Sequence, residues 1–160
     1  MANYVATARS NYFRVKDTDE FTRIVGIVAP DISIHKGESD QPDGSVCLLA
    51  DGGDGPWPYI DLEHLDTDDD DLDVTDAERE ALENGTNPFP GVTDSIVDLV
   101  AEHLVDGDVA VFMEAGHEKM RSVSGYAVAV NSAGETRGVN LADIYKMAAD
   151  LGSTVTAAEF

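Results

Sequence analysis

The stretch DVAVFMEAGHEKMRSVSGYAVAVNS, residues 108–132, decides the fold. Asp108 to Ala115 and Arg121 to Ser132 are the most regular strand candidates in the chain, set on either side of the connector Gly116-His117-Glu118-Lys119-Met120. Ala133-Gly134 turns the chain into a third strand near Thr136 to Val139. Asn140 is then placed to cap a last helix bearing Leu141, Ile144, Tyr145, Ala148 and Leu151, with Gly152 ending it.

Working back from this hairpin, Thr93 or Asp94 can cap a helix that carries Ile96, Val97, Val100 and Leu104 on one side. At the other end of the chain, Tyr4 to Lys16 is rich in β-branched and aromatic residues. Asp17 or Thr18 then caps a helix with Phe21, Ile24, Val25 and Val28 on one face, closed by Pro30. Ile32 to Lys36 alternates apolar and polar residues, a polar turn runs from Gly37 to Gly44, and Ser45 to Asp51 forms the second strand of a hairpin. After the turn Gly52 to Pro56, Trp57 to Ile60 reads as a short edge strand, because Pro58 has no N–H to give to a ladder. The order β-α-β-β-α-β-β-β-α predicts an α+β domain, an antiparallel sheet with helices packed on one face.

Between the two halves the composition changes. From Asp61 to Gly91 the only Lys or Arg is Arg79, and the segment reads as an acidic excursion or insertion within a single domain of residues 1–160. Thr75 or Asp76 can start a brief helix there over Ala77, Ala81 and Leu82.

Charge is the dominant compositional fact. The 160 residues include 32 Asp and Glu against 10 Lys and Arg, a net charge of −22, on a chain whose 42% hydrophobic content is that of a folded protein. Adaptation to molar salt fits this balance, since at 1 M salt the Debye length is about 3 Å and self-repulsion largely disappears. A second reading is mimicry of nucleic acid, with carboxylates standing in for phosphates. Direct binding to nucleic acid conflicts with the charge, and loosely associated cations are expected. The N-terminal residues lack the apolar run of an export signal and no apolar stretch reaches membrane-spanning length, so the expected location is the cytoplasm, away from membranes. Cys47 is the only cysteine, which excludes a disulfide within the chain.

No motif specifies a reaction. Asp69, Asp71, Asp73 and Glu80 fall at EF-hand-like spacing, but Val74 stands where the sharp turn needs glycine, so no metal site is expected. His35, His64, His103 and His117 are far apart and lack zinc-binding spacing. Ser122-Val123-Ser124-Gly125 lacks the preceding glycine of a nucleophile elbow, and there is no phosphate-binding loop. Neither catalytic residues nor a cofactor are expected. The best local acid–base group is His117 with Glu114 and Glu118. In a chain so poor in cations, Arg9, Arg14 and Lys16 cluster in the first strand and Lys119 and Arg121 beside the strongest hairpin. They read either as partners of Glu114, Glu118 or Asp17, or as a binding face to which Asn11, Tyr12, Trp57 and Tyr126 add contact area.

The segments Ala8 to Val15 and Val109 to Glu114, with Gly116, Glu118, Lys119, Arg121 and Gly125 to Val128, resemble those of small uncharacterised accessory proteins encoded on plasmids, phages and integrative elements. Asp61 to Gly91 departs from that pattern. The resemblance implies a non-enzymatic protein that binds another protein, such as a nucleic-acid enzyme or a component of host defence. The alternative is a small-ligand-binding protein or hydrolase using the C-terminal hairpin face, with Glu114, His117 and Arg121 as its candidate groups.

Overall fold

The computed structural model describes residues 4–50, 56–65, 67, 69, 71–118, 122–148 and 151. Seven strands form one sheet: β1 (Tyr4–Ser10), β2 (Phe13–Arg14), β3 (Ile32–Lys36), β4 (Ser45–Ala50), β5 (Val109–Glu118), β6 (Ser122–Asn131) and β7 (Thr136–Asn140). β2 prolongs the line of β1, so across the sheet the order runs β3-β4-β1-β5-β6-β7, with every neighbouring pair antiparallel. The chain is therefore an α+β protein built on an antiparallel sheet.

The first strand is broken for a local reason. Arg9 pairs with Leu49 but Phe13 pairs with Val46, so the register slips by one residue across Asn11-Tyr12, as in a β-bulge. Side chains satisfy the displaced backbone groups. Ser10 Oγ accepts from the Leu48 N–H at 2.8 Å, while the Asn11 amide donates to the Val109 carbonyl at 3.0 Å and accepts from the Val111 N–H at 2.7 Å.

Two helices cover one face. In α1 (Thr18–Val28), Asp17 caps the first turn by accepting from the N–H groups of Asp19 and Glu20, and Phe21, Ile24, Val25, Ile27 and Val28 are buried. In α3 (Ile96–His103) the buried residues are Ile96, Leu99, Val100 and Ala101. Its cap is Ser95 rather than Thr93 or Asp94, because Thr93 Oγ1 is engaged with the Ser95 N–H and the Asp98 carboxylate. Both helices press on the inward residues Phe13, Val46, Leu48, Ala110, Phe112 and Val130 to make one core. Each fully buried Leu, Ile or Phe contributes about 1.5–3 kcal/mol, so truncating Leu99 or Phe112 to Ala would cost about 2–5 kcal/mol.

The acidic segment attaches on the helical side. Its Phe89 and the flanking Ile60 and Val92 are buried in the core, and Leu62, Leu65, Leu72, Val74 and Leu82 pack against it. Its helix α2 (Asp76–Glu83) starts at a capping box between Thr75 and Glu78. Arg23 of α1 anchors it, donating to Glu78 at 2.9 Å and to the Asp73 carbonyl at 3.0 Å while also pairing with Glu20 at 2.8 Å.

Two expected elements differ. Trp57 to Ile60 is not a strand: the Trp57 N–H is spent on the Glu114 carboxylate and the Ile60 N–H on the Asp94 carbonyl, leaving no ladder to join. Asn140 is the last residue of β7 rather than a cap, and its N–H donates to Asp143 at the start of α4 (Asp143–Ala148). The expected end of that helix at Gly152 lies outside the described residues. No helix among the described residues is long and apolar enough to cross a membrane.

Candidate functional site: two faces of the C-terminal hairpin

Strand periodicity sends alternate residues of β5 to opposite sides of the sheet, and the two sides have different chemistry. On the helical side, Glu114 is 7% exposed. Among the described residues its hydrogen-bond partners are neutral donors: the Tyr4 hydroxyl at 3.1 Å, the Trp57 N–H at 3.1 Å and the Tyr126 hydroxyl. Burial, followed by the adjacent Glu114, pushes the Tyr126 hydroxyl up to about 12. The Trp57 ring meets Phe112 edge-on at 5.1 Å, and these two with Tyr59, Ser95 and Tyr126 border a cleft of about 270 Å³.

The opposite face is open. Val5, Thr7 and Arg9 of β1 align with His117, Ala115 and Met113 of β5, and the last two align with Gly125 and Ala127 of β6. Ala127 in turn pairs with Val139 of β7. Small residues at 115, 125 and 127 make a floor, and Arg9, Met113, Val139 and Leu141 rise around it to leave an apolar trough of about 360 Å³. Gly125 allows a close approach here: a Cβ on it would lie 3.0 Å from the Glu114 carbonyl and 3.1 Å from the Leu141 side chain. Met113, Val123, Val139 and Leu141 are 46–68% exposed.

Not one outward position of β1, β5, β6 or β7 carries Asp or Glu, although the chain has 32. From Ser122 to Ala142 the only charged residues are Glu135, in the β6–β7 turn, and Arg137.

The expected site residues divide among these environments. Arg9 and His117 lie on the open face, whereas Glu114, Trp57 and Tyr126 belong to the helical side. Glu114 and His117 thus face opposite ways and share no substrate position. Asn11 is committed to the bulge. Tyr12, beside the bulge, bonds the buried Cys47 thiol, which raises its hydroxyl above the ordinary value. Arg14 makes a two-pronged ion pair with Asp108, its Nε donating at 2.9 Å, which holds the Asp108 carboxyl below the usual range. Lys119 and Arg121 lie outside the described residues.

Sequence reasoning missed Met113, Val139 and Leu141, and missed Arg23 as the anchor of the acidic segment. The signal for the first group was the charge gap from Ser122 to Ala142. For Arg23 there was none, because its partner Glu78 lies 55 residues away. Among the described residues no group of three or more His, Cys, Asp or Glu is arranged to hold a metal ion. Searches of protein-family models, curated proteins and solved structures found no match to this chain.

Proposed function

We propose that the protein is a non-enzymatic binding module whose working surface is the open face of its sheet, and that it binds a protein presenting an apolar projection. The observation that carries this reading is an apolar trough on a sheet face whose outward strand positions carry no Asp or Glu, on a chain of net charge −22. Acidic residues cover a surface cheaply in salt, and their absence from one exposed face leaves that face suited to desolvation. Exposed apolar residues grouped in this way mark interaction sites. In molar salt, affinity comes from such anchors rather than from charge steering.

Competing with this is mimicry of nucleic acid, which would act through the acidic segment, and the two separate cleanly. In a pull-down in about 2 M KCl, Met113→Glu and Val139→Glu are expected to lose the captured protein, while Asp69→Asn, Asp71→Asn and Asp73→Asn together keep it. The reverse pattern would replace this reading with mimicry. An accessory role on a mobile element is compatible with a binding module and rests on the resemblance alone.

A second reading is a small apolar ligand in the same trough, favoured by its volume, which lies within the range of small-molecule pockets. A hydrolase is less well supported, since Glu114 and His117 are on opposite sides of the sheet.

A further inference from the structure

We propose that the cleft on the helical side of the sheet is a binding site for a methylated ammonium head group, received between the rings of Trp57, Tyr59 and Tyr126. It lies across the sheet from the open face and does not depend on the role proposed for that face.

The backbone brings the three rings together. Trp57 and Tyr59 lie two residues apart on a segment fixed at both ends. The Trp57 N–H donates to the Glu114 carboxylate at 3.1 Å, and the Ile60 N–H to the Asp94 carbonyl at 3.3 Å. Pro58 between them has its φ set by its own ring. Tyr126 stands opposite Glu114 in the β5–β6 register and its hydroxyl donates to that carboxylate. Phe112 is fully buried and steadies the indole by its edge-on contact. Trp57 is partly exposed, Tyr126 42% and Tyr59 70%, and all three border the cleft.

The cleft favours positive charge. Aromatic faces carry the negative lobes of a quadrupole and attract cations. Among the described residues at the border Asp94 alone is charged, and Glu114 is bonded to both Trp57 and Tyr126. The Tyr59 hydroxyl is raised above its ordinary value, chiefly by the charge of Asp94, then by burial, with Asp61 and Glu63 adding to it. Carboxylates therefore act on the tyrosines at both sides of the cleft. Ser95, Ile96 and Val97 bring the positive end of α3 to the same border, and Asp94 and Asp98 beside its first turn offset it.

The walls select the kind of cation. A metal ion needs several oxygen ligands, and the described border offers one carboxylate. A primary ammonium is strongly hydrated and would lose that water among aromatic rings and the side chains of Ile96, Val97 and Val128. A fully methylated ammonium has no N–H to satisfy and packs its methyl groups on aromatic faces. At about 270 Å³ the cleft falls below the range of about 300–1,000 Å³ that takes drug-sized ligands, which suits a head group. Molar salt leaves this selection in place, because it rests on desolvation at contact rather than on long-range attraction.

Such a head group comes either as a free small molecule or as a trimethylated lysine, and titration of the full chain in about 2 M KCl distinguishes them. Trp57, the only tryptophan, reports binding by its fluorescence. Choline is expected to change the emission saturably, with half-saturation at about 1 mM or below. Its tert-butyl analogue, in which carbon replaces the ammonium nitrogen, should bind about tenfold more weakly. Tyr59→Leu keeps apolar bulk at an exposed position but removes the ring, and should weaken choline about fivefold or more, while Tyr59→Phe restores it. A short peptide carrying trimethylated lysine that binds more than about tenfold tighter than choline assigns the head group to a protein, and equal or weaker binding assigns it to a free ligand. An emission change that never saturates with choline or the peptide, or one that the neutral analogue produces at the same concentrations, overturns the site. So does a Tyr59→Leu variant that binds choline as the wild type does.

Discussion

The Tyr4 hydroxyl donates a 3.1 Å hydrogen bond to the Glu114 carboxylate, 110 residues away in the chain, and accepts one of 3.0 Å from the Ser124 hydroxyl. β1, β5 and β6 are thereby joined through one buried acid, which also holds the Trp57 backbone N–H. Removing the acid leaves partly buried donors without this partner, each costing up to about 1–3 kcal/mol. Glu114→Ala is therefore expected to lower stability by about 3 kcal/mol, and Glu114→Gln, which keeps acceptor capacity, by less. Urea unfolding in high salt gives the energies. Trp57 is the only tryptophan, so its native fluorescence should shift to the red in Glu114→Ala alone.

Gly116 makes room for this network. A Cβ at that position would sit 2.6 Å from the Tyr4 ring and hydroxyl and 2.7 Å from the Val5 carbonyl. Gly116→Ala must displace Tyr4, at an expected cost of about 1–3 kcal/mol. Because the lost interaction is shared, the double variant Gly116→Ala with Tyr4→Phe should be less destabilised than the sum of the two single variants. Strict additivity in a denaturation cycle would show that the Tyr4 contact is unimportant.

Tyr126 gives the fold an alkaline limit. Its hydroxyl is raised to about 12 against an ordinary 10, because burial and the neighbouring Glu114 disfavour the phenolate. A raised pKa in the folded state means that this contribution is complete below about pH 10 and lost as pH rises through 12. The melting temperature should accordingly fall over that window. Tyr126→Phe should show a shallower decline, measured at constant salt.

Much of the fold was legible because its signals are local. Asp17 ahead of Phe21, Ile24, Val25 and Val28 specifies α1 by cap and spacing, and the strands around residues 116–120 follow from patterning over neighbouring residues. What was illegible depended on contacts between distant residues. The Trp57 segment lost its strand to Glu114, 57 residues on, and the Arg14 cluster resolved into a pair with Asp108, 94 residues on. Among the candidate site residues, the sequence pattern groups Glu114 with His117 because it puts His117 in a connector at 116–120; β5 instead runs on through Glu118, and parity along it puts the two on opposite sides. Which side of the sheet the helices would cover was not encoded in that parity, so the outward side could be recognised only after α1 and α3 were in place.

At low pH two effects oppose each other, and Arg23 separates them. Protonating the carboxylates of a chain of net charge −22 relieves self-repulsion and favours the compact state. Glu78 acts the other way. The Arg23 guanidinium holds its carboxyl at about 2, against an ordinary 4.5, and likewise lowers that of Glu20. A lowered pKa in the folded state means that the stabilisation from Glu78 is complete above about 4.5 and is lost as pH falls through 2. In Arg23→Gln the Arg23 part of this stabilisation is already gone, at a cost of about 1 kcal/mol for a partly exposed network, while the Thr75 hydrogen bonds to Glu78 remain. The difference in stability between wild type and Arg23→Gln should therefore be constant above pH 5 and shrink as pH falls toward 2, leaving only the part due to the Asp73 carbonyl, whatever the common repulsion term does. Hydrogen exchange locates the effect: amides of α2 should exchange faster in the variant at neutral pH, while those of β5 keep their protection. Equal acceleration in both elements would mean that Arg23 supports the whole core rather than the attachment of the acidic segment.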